Sequence, residues 1–575
     1  MKRLLFSILS LCLLVSCYKD KGNYSYHFDS LNNIELDSIK FSPEAFESIN
    51  GPTIEVQQPL TEAQTERRIT VSLKQTLSDN LDNLDFLWRR TYTNEDKQTV
   101  TDTLRTKGYI DLNFPIGKST TYSLMLEIHD NSTGLAYYKN VVVKTRPIFQ
   151  NSLFVLHGND GARKLGNIEI IGNKAEVRTD AWTTVHPNET SPYAKAANLI
   201  YSTYYDFGTR VESRNLGVFF QDGAALVYEP YGLELKFNSA YLLPRTQSSR
   251  PFVLNSLAVA GTAETNSDYK CIISQDGYFY TTRTFLNFHI PAEGLKEENP
   301  LNQTDYEVSA CAITDSYFVL WDKKHNRFLY VSKQDNFGWN EEVEAVQSII
   351  LQNPVQDALV DFSVLGQQMS PVGKQCIYAY INDRENYPKA HPFFVFKDAS
   401  SGTYYRYELT PNDTGGKGDK KSARKGDDGS AGSEPAFSIT GQVLQNFAPT
   451  SIKAVAYSAR FSTDYLFYAE GGTVYRYNVS NGDRMTIYSA PEGYTVSVLK
   501  FRSYDSGNRP GDLGRWLSIG MNKGTEGAVA EVKLTTAADV DTKETATFYT
   551  GSATEHFGNI KDLQFAPIYT YSLTN

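Results

Sequence analysis

The residues best suited to bind a ligand in this 575-residue chain are aromatic rings in predicted loops. Trp182 in TDAWTTVHP, Tyr193 in SPYAK and Trp339 in NFGWNEE stand between strand-like runs rather than within them. Sugars dock on exposed rings, whereas aromatic residues inside strands usually pack in the core. These three residues are therefore the predicted ligand-binding positions. The alternative for each is a structural role at the edge of a sheet.

Catalytic and metal-binding patterns are sparse in the sequence. It contains no HExxH, GxSxG or Walker motif and no dinucleotide-binding glycine pattern. A glycosidase needs two facing carboxylates, and among 66 Asp and Glu residues a pair such as Asp315 and Asp361 keeps that chemistry open. The segment Tyr504–Asp512 has oxygen ligands suited to Ca²⁺ but lacks EF-hand spacing, which favours a simple turn. The sequence therefore assigns no catalytic residue, no metal ligand and no cofactor beyond this Ca²⁺ alternative.

The composition favours strands and argues against nucleic acid as a partner. Aromatic residues make up 13% of the chain, with 38 Tyr and 31 Phe. The formal net charge is -10 and no basic cluster is sustained. Cys271, Cys311 and Cys376 lie inside apolar runs and lack the spacing of a zinc site or a disulfide framework. We expect these three cysteines to be small buried apolar residues.

The first residues predict a lipid anchor. Lys2 and Arg3 precede an apolar run that ends in Leu-Val-Ser-Cys at Cys17, which is typical of a bacterial lipoprotein signal. Residues 1–16 are predicted to be the signal peptide and Cys17 the lipidated residue, followed by a polar tether at 17–32. An ordinary secretory signal is the alternative. No later run is long enough to span a bilayer, so the lipid is the expected membrane anchor.

Repeated strands make up the longer, second part of the chain. Ser451–Val479 predicts three strands, with Glu470, Gly471 and Gly472 in a tight hairpin turn. Such a meander cannot bury both faces alone, so copies are expected. Seven copies, spaced so that four strands fit in each, predict a β-propeller, with an irregular solenoid or a pair of sandwiches as the alternative. The other six hairpins are Ser152–Ile170, Leu216–Glu229, Tyr269–Thr282, Tyr317–Ser332, Cys376–Leu409 and Trp516–Leu534.

The two ends of this repeat predict ring closure. The hairpin that begins at Ser152 has no small-residue strand before it, whereas the strand-like run Asn559–Pro567 has no hairpin after it. The C-terminal strand is therefore predicted to complete the first blade and to close a ring of seven blades, with eight as the alternative. Small-residue runs ahead of other hairpins are predicted to be the innermost strands. These runs are Ser256–Gly261, Val308–Thr314, Leu359–Leu365 and Val496–Phe501.

The predicted fold class is all-β, in two domains. Residues 33–146 contain strand-like runs and Trp88, which predicts an Ig-like sandwich with one core tryptophan. Residues 147–575 are the predicted β-propeller. The segment 412–434, in its fifth blade, is rich in Gly, Lys and Asp and has almost no apolar residue, which predicts a disordered insertion.

The N-terminal part of the chain resembles a known family. The opening CYKDKGNYSYH, the run YSLMLEIHDNSTGLAYYKNVVVKT and the following NSLFVLHGNDGARKLGNIEI are similar to the PKD-like family of Bacteroidetes surface lipoproteins. The likeness is specific over about residues 17–170 and architectural beyond. It implies an outer-membrane lipoprotein that faces the cell exterior and is encoded beside a TonB-dependent transporter and its SusD-like lipoprotein. The family has no settled catalytic residues, so none is carried over.

The resemblance implies a non-catalytic accessory that binds a glycan or peptide for a SusC/SusD-like uptake system. Two alternatives stay open at this point. The first is a structural subunit that docks on the transporter complex without contacting the nutrient. The second is a surface propeller glycosidase or lyase, and an enzyme is the less favoured of these interpretations because no catalytic pattern stands out in the residues.

Overall fold

The computed structural model describes most of the chain between residues 31 and 567. No helix in this described part is long and apolar enough to cross a membrane. The chain divides into two compact units, residues 1–148 and 149–575. Within 31–567, the residues outside the description are 43–45, 49–52, 60–64, 79, 95–97, 107, 116–119, 150, 172–173, 207–210, 224, 239–253, 257–269, 275–276, 278, 283–305, 314–316, 333–355, 359, 382–390, 413–436, 459–460, 462–463 and 503–512.

The first unit is a sandwich of two sheets. One sheet has the strand order β2-β1-β4-β7 and the other the order β3-β9-β8-β5-β6. Strands β3 and β9 pair in parallel, and the other pairs described in this unit are antiparallel. The strands are β1 (Ile34–Ser42), β2 (Phe46–Ser48), β3 (Thr53–Gln57), β4 (Glu66–Gln75), β5 (Leu84–Thr93), β6 (Thr99–Arg105), β7 (Tyr109–Asn113), β8 (Thr121–Asp130) and β9 (Leu135–Arg146).

Alternating apolar residues of both sheets form the core of this unit, as period-two strands require. Trp88 on β5 is fully buried among them, together with Ile69, Leu124 and Val143. The prediction that Trp88 is a core residue is therefore confirmed, and its ring has no open face for a ligand. An Ig-like arrangement of two packed sheets is also confirmed for this unit.

A buried carboxylate fixes one end of the same sandwich. Asp130, at the end of β8, is 1% exposed and accepts hydrogen bonds from the hydroxyls of Ser132 and Thr133 and from the amides of Asn32 and Asn83. These donors hold the pKa of Asp130 well below its usual range, although burial opposes the shift. The ionised side chain thus ties the first described residues of the unit to the β8–β9 hairpin.

The second unit consists almost entirely of strands within the described residues. Its helix α1 (Ala181–Val185) is short, and 3-10 turns lie at Pro192–Lys195, Phe362–Leu365, Gln367–Met369 and Leu513–Arg515. The strands are β10 (Ser152–His157), β11 (Lys164–Ile171), β12 (Lys174–Arg178), β13 (Ala196–Asp206), β14 (Val211–Phe220), β15 (Ala225–Tyr228), β16 (Leu235–Asn238), β17 (Leu254–Ser256), β18 (Lys270–Ser274), β19 (Phe279–Thr282), β20 (Val308–Ile313), β21 (Tyr317–Asp322), β22 (Arg327–Ser332), β23 (Gln356–Asp357), β24 (Gln375–Ile381), β25 (Pro392–Lys397), β26 (Tyr404–Pro411), β27 (Phe437–Val443), β28 (Ile452–Ala456), β29 (Tyr465–Glu470), β30 (Thr473–Asn478), β31 (Arg484–Ser489), β32 (Thr495–Phe501), β33 (Trp516–Lys523), β34 (Glu526–Lys533), β35 (Thr547–Tyr549) and β36 (Ile560–Ala566).

These strands form seven antiparallel sheets in the described part of the unit. Central strands such as β10, β21 and β34 are buried on both faces over nearly their whole length. A sheet whose middle strand is covered on both faces must lie between two neighbours. In chain order the sheets are sheet 1 (β12-β11-β10-β36), sheet 2 (β13-β14-β15-β16), sheet 3 (β17-β18-β19), sheet 4 (β20-β21-β22-β23), sheet 5 (β24-β25-β26-β27), sheet 6 (β28-β29-β30-β31) and sheet 7 (β32-β33-β34-β35).

The C-terminal strand completes the first of these sheets. Strand β36 pairs antiparallel with β10, from Ser152 opposite Ala566 to His157 opposite Ile560. The predicted pairing of Asn559–Pro567 with the hairpin at Ser152 is therefore confirmed. The predicted hairpins in sheets 1 to 7 also correspond to paired strands, since each begins and ends within a few residues of its expected bounds.

The predicted innermost strands are only partly present. Val308–Thr314 and Val496–Phe501 correspond to the first strands of sheets 4 and 7. The prediction for Leu359–Leu365 is wrong, because Phe362–Leu365 is a 3-10 turn and β24 is the first strand of sheet 5. The Asp361 side chain accepts a hydrogen bond from the Ser363 N–H and so starts the turn. Of Ser256–Gly261, the structure describes only Ser256, at the end of β17.

The remaining predictions for this unit concern cysteines and the insertion. Cys311 is buried, as predicted, and Cys376 is partly buried. Cys271 lies in β18, and its side chain is outside the described residues. The segment 412–434 lies between β26 and β27 of sheet 5, and all of it beyond residue 412 is outside the described part.

Candidate functional site

The aromatic residues predicted to bind a ligand are buried where the structure describes them. Trp182, on α1, is 7% exposed, and Tyr193 is fully buried. The Trp182 ring stacks on His186 with centroids 3.9 Å apart and meets the edges of Tyr193 and Tyr228. The expectation that Trp182 and Tyr193 are exposed is wrong, because α1 and the following 3-10 turn pack both rings inward. Their contact with a ligand stays a prediction that this packing does not favour.

Other residues considered from the sequence give no site. Trp339, Cys17, Asp315 and the segment Tyr504–Asp512 are outside the described residues. Asp361 is exposed at the start of its 3-10 turn, where the bond from Ser363 lowers the pKa of the carboxyl. No group of three or more His, Cys, Asp or Glu side chains suited to a metal ion occurs in the described part of the chain.

A cavity in sheet 2 collects four polar side chains that the sequence analysis did not single out. Its volume is about 220 Å³, and it is lined by Arg214, Glu229, Tyr231 and Lys236. Arg214 lies on β14, Lys236 lies on β16, and Glu229 directly follows β15. Because β15 is short, the side chains of its two neighbouring strands meet beyond its end. The cavity therefore brings two cations, one carboxyl group and one phenol together.

The turn between β15 and β16 fixes the acid of this cavity. The Leu233 N–H donates to the Glu229 carbonyl at 3.0 Å, and Leu233 has a positive φ of 54°. The backbone N–H groups of Tyr231 and Gly232 both donate to Glu229 Oε2, at 2.9 and 2.8 Å. Glu229 Oε1 has no hydrogen-bond partner within the described part of the chain. One carboxyl oxygen therefore anchors the side chain in the turn.

The two cations are held by carbonyl and phenol oxygens. Lys236 Nζ donates to the Arg214 carbonyl at 2.9 Å and to Asn215 Oδ1 at 3.2 Å. Arg214 Nη1 donates to the Tyr231 hydroxyl at 2.5 Å. The β15–β16 register shifts at Lys236, and this bulge turns its side chain towards β14. Electrostatic attraction acts between Glu229 and Lys236, so unlike charges lie near one another in the lining of the cavity.

Burial changes the proton affinities of the lining groups. It raises the pKa of Glu229, although the two N–H donors and Lys236 oppose the shift. It lowers the pKa of Lys236, against the attraction of Glu229 and Glu234. Burial also raises the pKa of Tyr231 to about 12, so this phenol stays protonated at neutral pH. These lining groups can therefore bind charged and hydrogen-bonding parts of a ligand.

The predicted aromatic residues lie behind this cavity. The rings of Trp182 and Tyr193 contact Tyr228, which immediately precedes Glu229. His186 forms a hydrogen bond with the Leu233 carbonyl at 3.2 Å. These contacts support the turn that carries Glu229 and Tyr231. The sequence signal that could have located the cavity is Glu-Pro-Tyr-Gly at 229–232, a proline–glycine turn with a charged residue at its start.

Residues 17–190 match the PKD-like family. The match covers every described residue of the first unit and continues through β12 and α1 of the second. The family resemblance is therefore confirmed for this stretch. A comparison with curated proteins finds no match.

Several solved structures are similar to the chain at low sequence identity. The structure of apo AztD from Citrobacter koseri shares 8% identity, with a TM-score of 0.29, over 84% of this chain and 98% of that chain. The WD40 domain of SCAP from fission yeast shares 12% identity, with a TM-score of 0.30, over 62% of this chain and 74% of that chain. The β-propeller domain of Cps50 (Swd1) from Myceliophteria thermophila shares 8% identity, with a TM-score of 0.23, over 56% and 95%. Likenesses this remote assign no function.

Proposed function

We propose that the seven sheets of the second unit form a seven-bladed β-propeller. Contacts between successive sheets support the proposal, because four of the junctions, from sheet 3 to sheet 7, each contain a pair of aromatic rings. These pairs are Phe279 and Phe318 for sheets 3 and 4, Trp321 and Phe396 for sheets 4 and 5, Tyr380 and Tyr457 for sheet 5 and the chain that follows β28, and Phe467 and Phe501 for sheets 6 and 7.

Contacts of the C-terminal strand support a ring rather than an open array. Ile560 and Leu563 of β36 share an apolar cluster with Val529 of sheet 7. The carboxylate of Asp562 accepts a hydrogen bond from the Leu199 N–H of sheet 2 at 2.8 Å and forms an ion pair with Lys500 of sheet 7 at 2.7 Å. A single strand of sheet 1 thus contacts the second and the last sheet. An open solenoid has no reason to bring its two ends together.

We propose that the protein is an outer-membrane lipoprotein, anchored at Cys17 and facing the cell exterior, that acts as a non-catalytic binding accessory. Its partners in this proposal are a TonB-dependent transporter and a SusD-like lipoprotein that take up a glycan or peptide. The match of residues 17–190 to the PKD-like family supports this proposal, because the resemblance to that family is what implies a surface lipoprotein. The observation that carries the binding role is the cavity, whose described lining combines two cations, one carboxyl group and one phenol.

Purification from native membranes tests this proposal. The tagged full-length chain is expected to copurify with the transporter and its SusD-like partner, and deletion of its gene is expected to slow growth on the nutrient of that system. Copurification without any change in growth or nutrient binding would favour a docking subunit. Release of reducing ends from a polysaccharide by the purified chain would contradict the non-catalytic role.

A further inference from the structure

We propose that the cavity of sheet 2 binds a zwitterion, namely a free α-amino acid or a short peptide through its charged ends. This inference rests on the proposed function and names its ligand class. Arg214 and Lys236 bring positive charge to the lining of the cavity, and Glu229 brings a carboxyl group. A ligand that carries both a carboxylate and an ammonium group can interact with both kinds of charge at once.

The size of the cavity favours a single amino acid or a short peptide over a long peptide. The volume of about 220 Å³ is below the roughly 300–1,000 Å³ of sites for drug-sized ligands. The charged walls are fixed before a ligand binds, because Glu229 is held by two backbone N–H groups and Lys236 by two oxygens of β14. A fixed site loses little conformational freedom on binding, which favours affinity for a small ligand.

The arrangement of charges separates this ligand class from sugars. The Arg214 guanidinium lies 5.6 Å from the centre of the Tyr231 ring, so Tyr231, the one aromatic residue in the described lining, is already in contact with a cation. The described lining residues offer a sugar no further ring to stack on. The Glu229 carboxyl in this lining is best matched by a cationic donor, because charge-assisted hydrogen bonds are stronger than neutral ones.

Calorimetric titration of the full-length chain with free L-amino acids and dipeptides tests the inference. We expect saturable binding by at least one member of this panel. Blocking the ammonium of that ligand by N-acetylation, or its carboxylate by amidation, should each weaken binding at least tenfold. Glucose and galacturonate serve as the neutral and acidic sugars of the same experiment.

Variants assign the binding to the cavity. Glu229→Gln keeps an oxygen acceptor for the turn but removes the charge, and Arg214→Gln removes the opposite charge. Both should weaken binding at least tenfold, whereas Glu492→Gln, which changes an exposed acid between β31 and β32, should leave the affinity unchanged. Melting curves check that each variant is folded. For a variant that does not fold, the acetylated and amidated ligands still decide the question on the unmodified chain.

Three outcomes would overturn the inference. The first is that no amino acid or dipeptide binds at ligand concentrations up to about 10 mM. The second is that galacturonate binds as tightly as the amino acids. The third is that N-acetylation of the ligand does not change its affinity. Failure of the uptake role would be seen separately. A chain that binds an amino acid but does not copurify with a transporter would contradict the proposed accessory role and leave the ligand class intact.

Discussion

Removing strand β36 should unfold the second unit while the first unit stays folded. The perturbation is a stop codon after Gly558, which deletes the strand and everything beyond it. The matched control is a chain that ends at Pro567, which keeps β36 and all of its described contacts. The strand pairs with β10, so its loss leaves the backbone groups along one edge of β10 without partners.

The size of the effect follows from the buried side chains of the strand. Ile560, Leu563 and Phe565 are each at most 4% exposed. Truncating a single buried Leu or Ile costs about 2–5 kcal/mol, and a Phe about 3–5 kcal/mol. The loss of all three is comparable with the whole stability of a domain, typically about 5–15 kcal/mol. The ion pair between Asp562 and Lys500 is lost as well, which leaves a lysine that was 22% exposed without its carboxylate.

Limited proteolysis with mass spectrometry measures the result. The shorter chain should give a resistant fragment close to the first unit, about residues 31–148, and little else. The control chain should also give a resistant fragment of the second unit. A calorimetric scan should show one transition for the shorter chain where the control shows an additional one. A resistant second unit in the absence of β36 would refute both the ring and the estimate of its stability.

Four further tests address separate parts of the molecule. Cys17→Ala should release the protein from the membrane fraction, because lipidation is the proposed anchor; retention after signal cleavage would contradict the anchor. Replacing 412–434 by a short Gly/Ser link should leave the melting temperature nearly unchanged, since so polar a segment buries little surface. The pKa of His157 is lowered by burial, and its Nδ1 accepts from the Gly558 N–H, so the neutral form is required. The second unit should therefore have its full stability above about pH 6.5 and lose stability as the pH falls towards the lowered folded-state pKa, a dependence that denaturant titrations should find reduced in His157→Gln. Asp130→Ala should destabilise the first unit by about 1–3 kcal/mol for each buried donor left without an acceptor, measured as a shift of its own melting transition.

The hairpins could be predicted from the sequence because their signals are local. Gly471 has a positive φ of 57° in the tight turn between β29 and β30, and only two strands of matching alternation are needed on either side. The partner of the C-terminal strand could also be predicted, although β10 and β36 are about 400 residues apart. That prediction depended on a count of strands. Each end of the repeat has a strand-like run without a partner in its own segment, and the simplest arrangement pairs these two runs with each other.

Short apolar runs were less informative. Leu359–Leu365 has the alternation of a strand, but Asp361 and Gly366 favour a capped turn, and Gly366 has a φ of 71°. Such local hydrogen bonds can determine the conformation of a run of only seven residues, because few contacts with neighbouring strands compete with them. The same applies to the aromatic residues: loop position suggested exposure for Trp182 and Tyr193, yet their burial depends on α1 and on Tyr228, which lies on a different strand.

The turn Glu-Pro-Tyr-Gly at 229–232 indicates only the acid of the cavity. Its cations could not be found from residue spacing, because they are ordinary on their own strands. Arg214 and Lys236 look like solvent-facing charges of alternating strands, and Glu229 looks like the polar start of a turn. They meet because β15 ends early and because a bulge displaces Lys236. Both features belong to the pairing of three strands, and neither is encoded by a motif.

Tyr231 lines the cavity and also contacts the residue that follows the C-terminal strand β36. The Tyr231 hydroxyl accepts a hydrogen bond from Arg214 and donates to the carbonyl of Pro567, at 3.2 Å, directly after β36. The hydroxyl of Tyr201, on β13, donates to the same carbonyl at 3.2 Å. The Tyr231 hydroxyl therefore links Arg214, in the lining of the cavity, to the residue that follows β36. If the cavity binds the proposed ligand, this chain of hydrogen bonds couples binding to the pairing of β36.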